Sequence, residues 1–170
     1  MSNPLPNILL VLQTSPTRWG TLLQRFPPEL TTARPAHEEW SAAECLLHVL
    51  DVELVFQERV RAFIAGRDLS AFDPDSEGSK LEPGVSPGVL VNRLVQIRAG
   101  SLLMLEDLVP AELEKKVLHA ELGPVLLREM VNEWAAHDLA HIIQAEEAMM
   151  QSFIAGCGPW QQFFTRHKKG

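Results

Sequence analysis

The sequence predicts an all-α fold, a four-helix bundle with a long loop between its second and third helices. Three observations carry this: apolar residues recur at helical spacing in four substantial segments, N-cap and proline signals open them, and no run reads as strand. With 170 residues the chain suits one domain, residues 1–170, and its 46% hydrophobic content supplies that domain with a core.

Ser15-Pro16 pairs an N-cap with proline at the first helical position. Trp19, Leu22, Leu23 and Phe26 then keep helical spacing until Pro27-Pro28, which predicts a first helix. The apolar stretch from Pro4 to Thr14 reads as a separate helical piece that breaks at Pro16. Ser41-Ala42-Ala43-Glu44 is a capping box, and the pattern behind it stays helical to Gly66. Residues 67 to 85 carry turn signals at Asp73-Pro74-Asp75, Ser76-Glu77-Gly78 and Pro83-Gly84, so they form the long loop, of a length that often covers a site. Ser86-Pro87 opens a third helix running to about Val109, and Glu112 to Lys116 adds one more turn. After Gly123-Pro124 a fourth helix runs from Val125 to Ala155, closed by Gly156, and Pro159-Trp160 starts a short terminal helix.

Charge narrows the function. Against 15 basic side chains stand 22 acidic ones, a formal charge of -7, which disfavours both a nucleic-acid backbone and an acidic lipid surface as partners. Cys45 and Cys157 make neither a C-x-x-C pair nor a disulfide framework, which fits free thiols in a cytoplasmic protein and excludes a zinc ribbon. The apolar run Ile8 to Leu12 has no basic residue before Arg18, unlike a signal peptide. No stretch of about 18 uninterrupted apolar residues occurs, so a soluble protein is expected. With no tyrosine in the chain, one candidate general acid is absent.

Chemistry concentrates on the fourth helix. His137 and His141 lie four residues apart, which sets both rings on one face with Cβ atoms about 5 to 6 Å apart. Their stripe also holds Leu126, Met130, Trp134, Ala145 and Ala148, so the pair faces the core, where imidazoles need partners. On the second helix His48 shares an inward stripe with Cys45, Val52, Val55, Phe56 and Phe63. Should the two helices be neighbours, three neutral imidazoles converge, a donor set that suits zinc or nickel and leaves a position open for water or substrate. The competing reading is that these rings only hydrogen-bond to backbone or carboxylates inside the bundle.

The run Glu39-Trp40-Ser41 through Glu44 to His48 and Asp51, with His137-Asp138 and His141 far downstream, resembles the DinB superfamily. Ala33-Arg34-Pro35, Glu121-Leu122-Gly123 and Gly158-Pro159-Trp160 extend the resemblance over most of the chain. It implies a four-helix bundle in which one histidine of the second helix and the H-x-x-x-H pair of the fourth bind a divalent metal, here His48, His137 and His141. It also implies a homodimer and a small-molecule substrate. Members include thiol-dependent transferases and isomerases that use low-molecular-weight thiols such as bacillithiol or mycothiol. The functional expectation is a metal-dependent transferase or hydrolase. The alternative is a non-catalytic stress-response or interaction module that keeps the bundle, with or without the metal.

Neighbouring groups also have ordinary roles open to them. Glu44 and Asp51 flank His48 by one turn, and Asp138 follows His137, so each can orient a ring, take a proton or simply face solvent. Cys45 reads as a small buried hydrophobe rather than a fourth ligand. His37 and His119 fall in loops, where solvent exposure is the default, and His167 belongs to a mobile tail. Gly84-Val85-Ser86-Pro87-Gly88 matches a nucleophile elbow, but proline after the serine has no N–H for an oxyanion, so Ser86 is a helix cap. A di-iron site fails as well, because Glu44 and Glu133 precede the histidines by four residues instead of three.

Overall fold

The computed structural model describes residues 3–73 and 78–169. Its frame is four helices: α1 Leu5–Gln24, α2 Ala42–Ala65, α3 Pro87–Glu106 and α4 Leu127–Gly156. α1 and α2 each pack against both α3 and α4, so the first two helices sit diagonally across the bundle. Of the expected turn signals in the long loop, all but Asp73, Gly78, Pro83 and Gly84 lie outside the described residues.

Pro16 does not break the first helix. α1 runs through it as one helix, although proline has no N–H to give to the carbonyl of Leu12. That carbonyl accepts instead from Arg98 Nη1 at 3.0 Å and from the Ser15 hydroxyl at 3.4 Å. Ser15 is therefore an interior residue with 1% exposure, not an N-cap.

α2 starts as its sequence dictates. Glu44 N–H donates to the Ser41 hydroxyl at 3.3 Å, Ser41 N–H donates to the Glu44 carboxylate at 2.8 Å, and Gly66 closes the helix in the left-handed region at φ 65°. Ser86 occupies the N-cap position of α3 but makes no side-chain capping bond, and α3 ends at Glu106, three residues short of Val109. By length and composition alone α3 could cross a membrane. Here it is a bundle helix whose central Arg98 is 1% exposed and ion-paired.

The expectation of no strand is wrong. Lys116–His119 (β1) pairs antiparallel with Gly123–Leu126 (β2), Val117 opposite Val125, and Leu69 joins beside His119. Four residues per strand are too few to display a period of two, and Pro124 argues locally against pairing. The hairpin takes the residues expected to begin α4, which starts at Leu127 with Glu129 accepting the Leu126 N–H at 2.8 Å. Of the turn expected at Glu112 to Lys116, Glu112–Glu114 forms a short 3-10 helix, and Gly158–Phe164 forms another.

The core divides into two apolar clusters. One holds Leu12, Phe56, Leu105 and Trp134, the other Trp19, Leu46, Leu94 and Ile142. Between these positions along the helices lies a buried polar layer of Ser15, Glu53, Arg98, Ser101 and Asp138. Arg98 donates to Glu53 at 2.7 and 3.0 Å, to Asp138 at 3.0 and 3.1 Å and to Ser15 at 3.0 Å. Ser101 and the Trp134 indole donate to Glu53 at 2.6 and 2.9 Å. Every helix of the bundle thus contributes to one hydrogen-bonded network, which satisfies charges that burial alone would penalise.

Candidate metal centre

α2 and α4 are packed neighbours, and their contact brings His48, His137 and His141 together. One nitrogen from each ring lies within 4.8 Å of the others, and the Nε2 atoms of His48 and His137 are 3.0 Å apart. The rings are half-buried rather than fully interior. Trp40 packs on His48 with ring centroids 4.8 Å apart, and Phe56 presents its edge relation to His137 at 5.7 Å.

Electrostatics keep the rings neutral. Burial, then the nearby His141, push the His48 ring down to about 4, with Asp51 opposing. Burial and the charges of His141, His48 and Arg98 push His137 down to about 3. His141 is also lowered by burial, against the hydrogen bond to Gln144 and the charge of Asp138. Neutral imidazole is the form that ligates a cation. His141 Nδ1 lies 2.8 Å from Gln144 Oε1; as donor to that oxygen it leaves Nε2 free as a ligand atom. Three neutral rings with converging nitrogens form a donor set able to hold one divalent ion and leave part of its coordination open.

The three carboxylates considered for this centre are occupied elsewhere. Glu44 is held in the capping box and ion-paired with Arg34; burial raises its carboxyl, but the bonds from Arg34 and Ser41 outweigh that and lower it. Asp51 accepts from Ser79 N–H at 2.6 Å and from the Ser79 hydroxyl at 2.8 Å, which ties the long loop to α2. Asp138 is 1% exposed and bound by Arg98. The orienting partner is Gln144, whose i+3 spacing from His141 was a readable signal. Cys45 is fully buried, its thiol pushed up to about 12 by burial, and lies outside the histidine group.

The remaining histidines separate. His37 is exposed. His119, expected in solvent, ends β1 with 6% exposure because Leu69 and the hairpin enclose it. His167 is no loose tail residue: its carbonyl accepts from Gln151 at 2.7 Å and its ring meets Glu147 at 3.3 Å.

Beside His48 opens a cavity of about 410 Å³, lined by Trp40, Glu44, Leu47 and Asp51, with Arg34 and Lys80 also on its walls. Ser79 and Leu81 of the long loop form another wall.

Fold and donor set define a helical bundle with an open trihistidine centre. The DinB superfamily profile matches residues 12–145, and the chain belongs to that superfamily. Its fold is similar to that of YfiT from Bacillus subtilis, described as a probable metal-dependent hydrolase with an unusual four-helix bundle topology. The two share 13% identity over 90% of each chain, with a TM-score of 0.78. A DinB-like protein of Bacillus subtilis, YjoA, matches at 16% identity over 86% of this chain and 92% of its own, with a TM-score of 0.58. No match was found among curated proteins.

Proposed function

We propose that this protein is a metal-dependent hydrolase or transferase in which His48, His137 and His141 hold one divalent ion, zinc or nickel, and the adjacent cavity takes a small-molecule substrate. The observation that carries the reading is the convergence of the three ring nitrogens within 4.8 Å. Membership of the DinB superfamily supports it, as does the description of the structurally similar YfiT.

Bound there, a divalent ion supplies Lewis acidity, which activates a water or a thiol near neutral pH. The chain's own residues do the rest. Burial keeps the rings deprotonated, Gln144 fixes the orientation of His141, and Trp40 covers one side of His48. Asp51 holds Ser79, so the long loop shapes the substrate cavity. Of the two cations on its walls Arg34 is taken by Glu44, which leaves Lys80 to meet an anionic portion of a substrate, and a low-molecular-weight thiol is among the small molecules to be tried.

We further propose a homodimer in the cytoplasm, where the unpaired Cys45 and Cys157 would stay reduced. Metal analysis of the purified protein, followed by hydrolysis and thiol-transfer screens with and without chelator, tests the reading. Chelator-sensitive turnover with one ion per chain supports it. Stoichiometric metal without such turnover favours a non-catalytic module, and no metal binding by the wild type removes it.

A further inference from the structure

A second cavity, of about 220 Å³, lies where α2 and α4 meet the hairpin, and it shares no lining residue with the cavity beside His48. Its apolar wall is Leu69, Val125 and Met130, with Leu122 as a lip that is 73% exposed. Its polar groups are Arg59, His119, Glu129 and Glu133.

Two donors converge in it. His119 Nδ1 accepts the backbone N–H groups of Glu121 and Leu122 at 3.2 and 3.4 Å, which puts the ring proton on Nε2. Arg59 Nη2 stands 3.3 Å from that same Nε2. With the ring proton on Nε2 that contact sets two donors against each other, and a carboxylate oxygen placed between the two side chains, both of which line the cavity, accepts from both and relieves it. Arg59 forms no ion pair within 4.0 Å among the described residues; Glu133 and Glu121 act on it from farther away. Glu133 likewise makes no hydrogen bond or ion pair among them.

The charge pattern selects the ligand. A plain carboxylate would gain Arg59 but meet Glu129 and Glu133, and a plain amine would gain the glutamates but meet Arg59. A molecule with adjacent opposite charges and an apolar body suits both ends and the wall. We propose that this cavity binds a free apolar α-amino acid, carboxylate on Arg59 and His119, ammonium toward Glu133, side chain against Leu69, Val125 and Met130. Binding there is independent of the histidine centre.

The test uses chelator-treated full-length protein with 13C-methyl methionine, following the Met130 resonance during titration. Probes are L-leucine, 4-methylpentanoate, which lacks its amino group, and isopentylamine, which lacks its carboxylate. The proposal expects a saturable shift with L-leucine and affinities at least about tenfold weaker for each analogue. Arg59→Gln and the exposed, conservative Glu133→Gln each weaken leucine by at least about tenfold, and Leu122→Trp at the lip blocks it. Analogues that bind as tightly as leucine, unchanged binding by Arg59→Gln or Glu133→Gln, or no shift at about 10 mM leucine would overturn it.

Discussion

His48 and His137, which are 89 residues apart in sequence, face each other through their Nε2 atoms at 3.0 Å. Two ligands of one tetrahedral ion, each about 2.0–2.1 Å from it, stand ~3.3 Å apart, so a displacement of a few tenths of an ångström converts this contact into shared ligation. The adjacent residue on α4, Asp138, enters the buried polar layer instead. Asp138 is locked by Arg98 at 3.0 Å, and at about 100° per residue this anchor fixes the direction in which His137 and His141 project.

Metal should therefore bind to the folded site and stabilise it. At a free concentration near 1,000 times Kd, zinc or nickel should add about 4 kcal/mol to the wild type, read as a rise in Tm. His48→Ala and His137→Ala should lose both the rise and the bound ion, measured by elemental analysis after desalting. A His137→Ala protein that keeps wild-type metal content would reduce the three rings to core furniture.

The metal-free protein should lose stability as pH falls below neutral. His48 is held at about 4 and His137 at about 3 in the fold, against an ordinary value of 6.5, so between those limits the unfolded chain binds more protons than the native one. Stability is then complete above 6.5 and declines as pH drops toward 4 and 3. Each half-buried ring should contribute about 1 kcal/mol between pH 7 and pH 5, after allowance for solvent screening. Urea unfolding of chelated protein checks this: a His48→Asn, His137→Asn double variant should show the shallower pH slope.

The four helices and the histidine stripe were legible because each repeats a local signal several times. Ser41 and Glu44 form the capping box that their spacing announces, and His48 falls inward with Cys45, Val52 and Phe56 as the rotation requires. What escaped depends on distant partners. The β1–β2 pairing needs Val117 to meet Val125 and gives too short a pattern to read. His119 is buried by Leu69, fifty residues earlier in the chain. Asp51 and Asp138 were readable as neighbours of ligands, but Ser79 and Arg98, which engage them, come from other segments.

Arg98→Met should be severely destabilising. It leaves Glu53 and Asp138, at 1% exposure each, without the cation between them, and breaking such a buried set costs about 3–5 kcal/mol. Adding Glu53→Gln and Asp138→Asn should recover part of the loss, since neutral amides cost less to bury. Equilibrium urea unfolding of the two variants measures both effects. The single variant should also weaken metal binding, because the anchor that aims α4 is gone.

Pro16 yields the least intuitive expectation. A proline in a helix interior costs about 3 kcal/mol relative to alanine, so Pro16→Ala would ordinarily stabilise by about that amount. In this chain the carbonyl that proline leaves free, Leu12 O, is already a partner of Arg98 at 3.0 Å. An alanine N–H would compete for that oxygen and loosen one of the bonds that satisfy the guanidinium, at a cost of about 1.5–3 kcal/mol for a charged donor. The two effects oppose each other, and the net change in urea unfolding should be a stabilisation of about 0–1.5 kcal/mol. In an Arg98→Met background the competition disappears, and the same Pro16→Ala substitution should stabilise by about 2–3 kcal/mol. A double-mutant cycle reads this coupling directly, and additive values would mean that the helix tolerates Pro16 without help from Arg98.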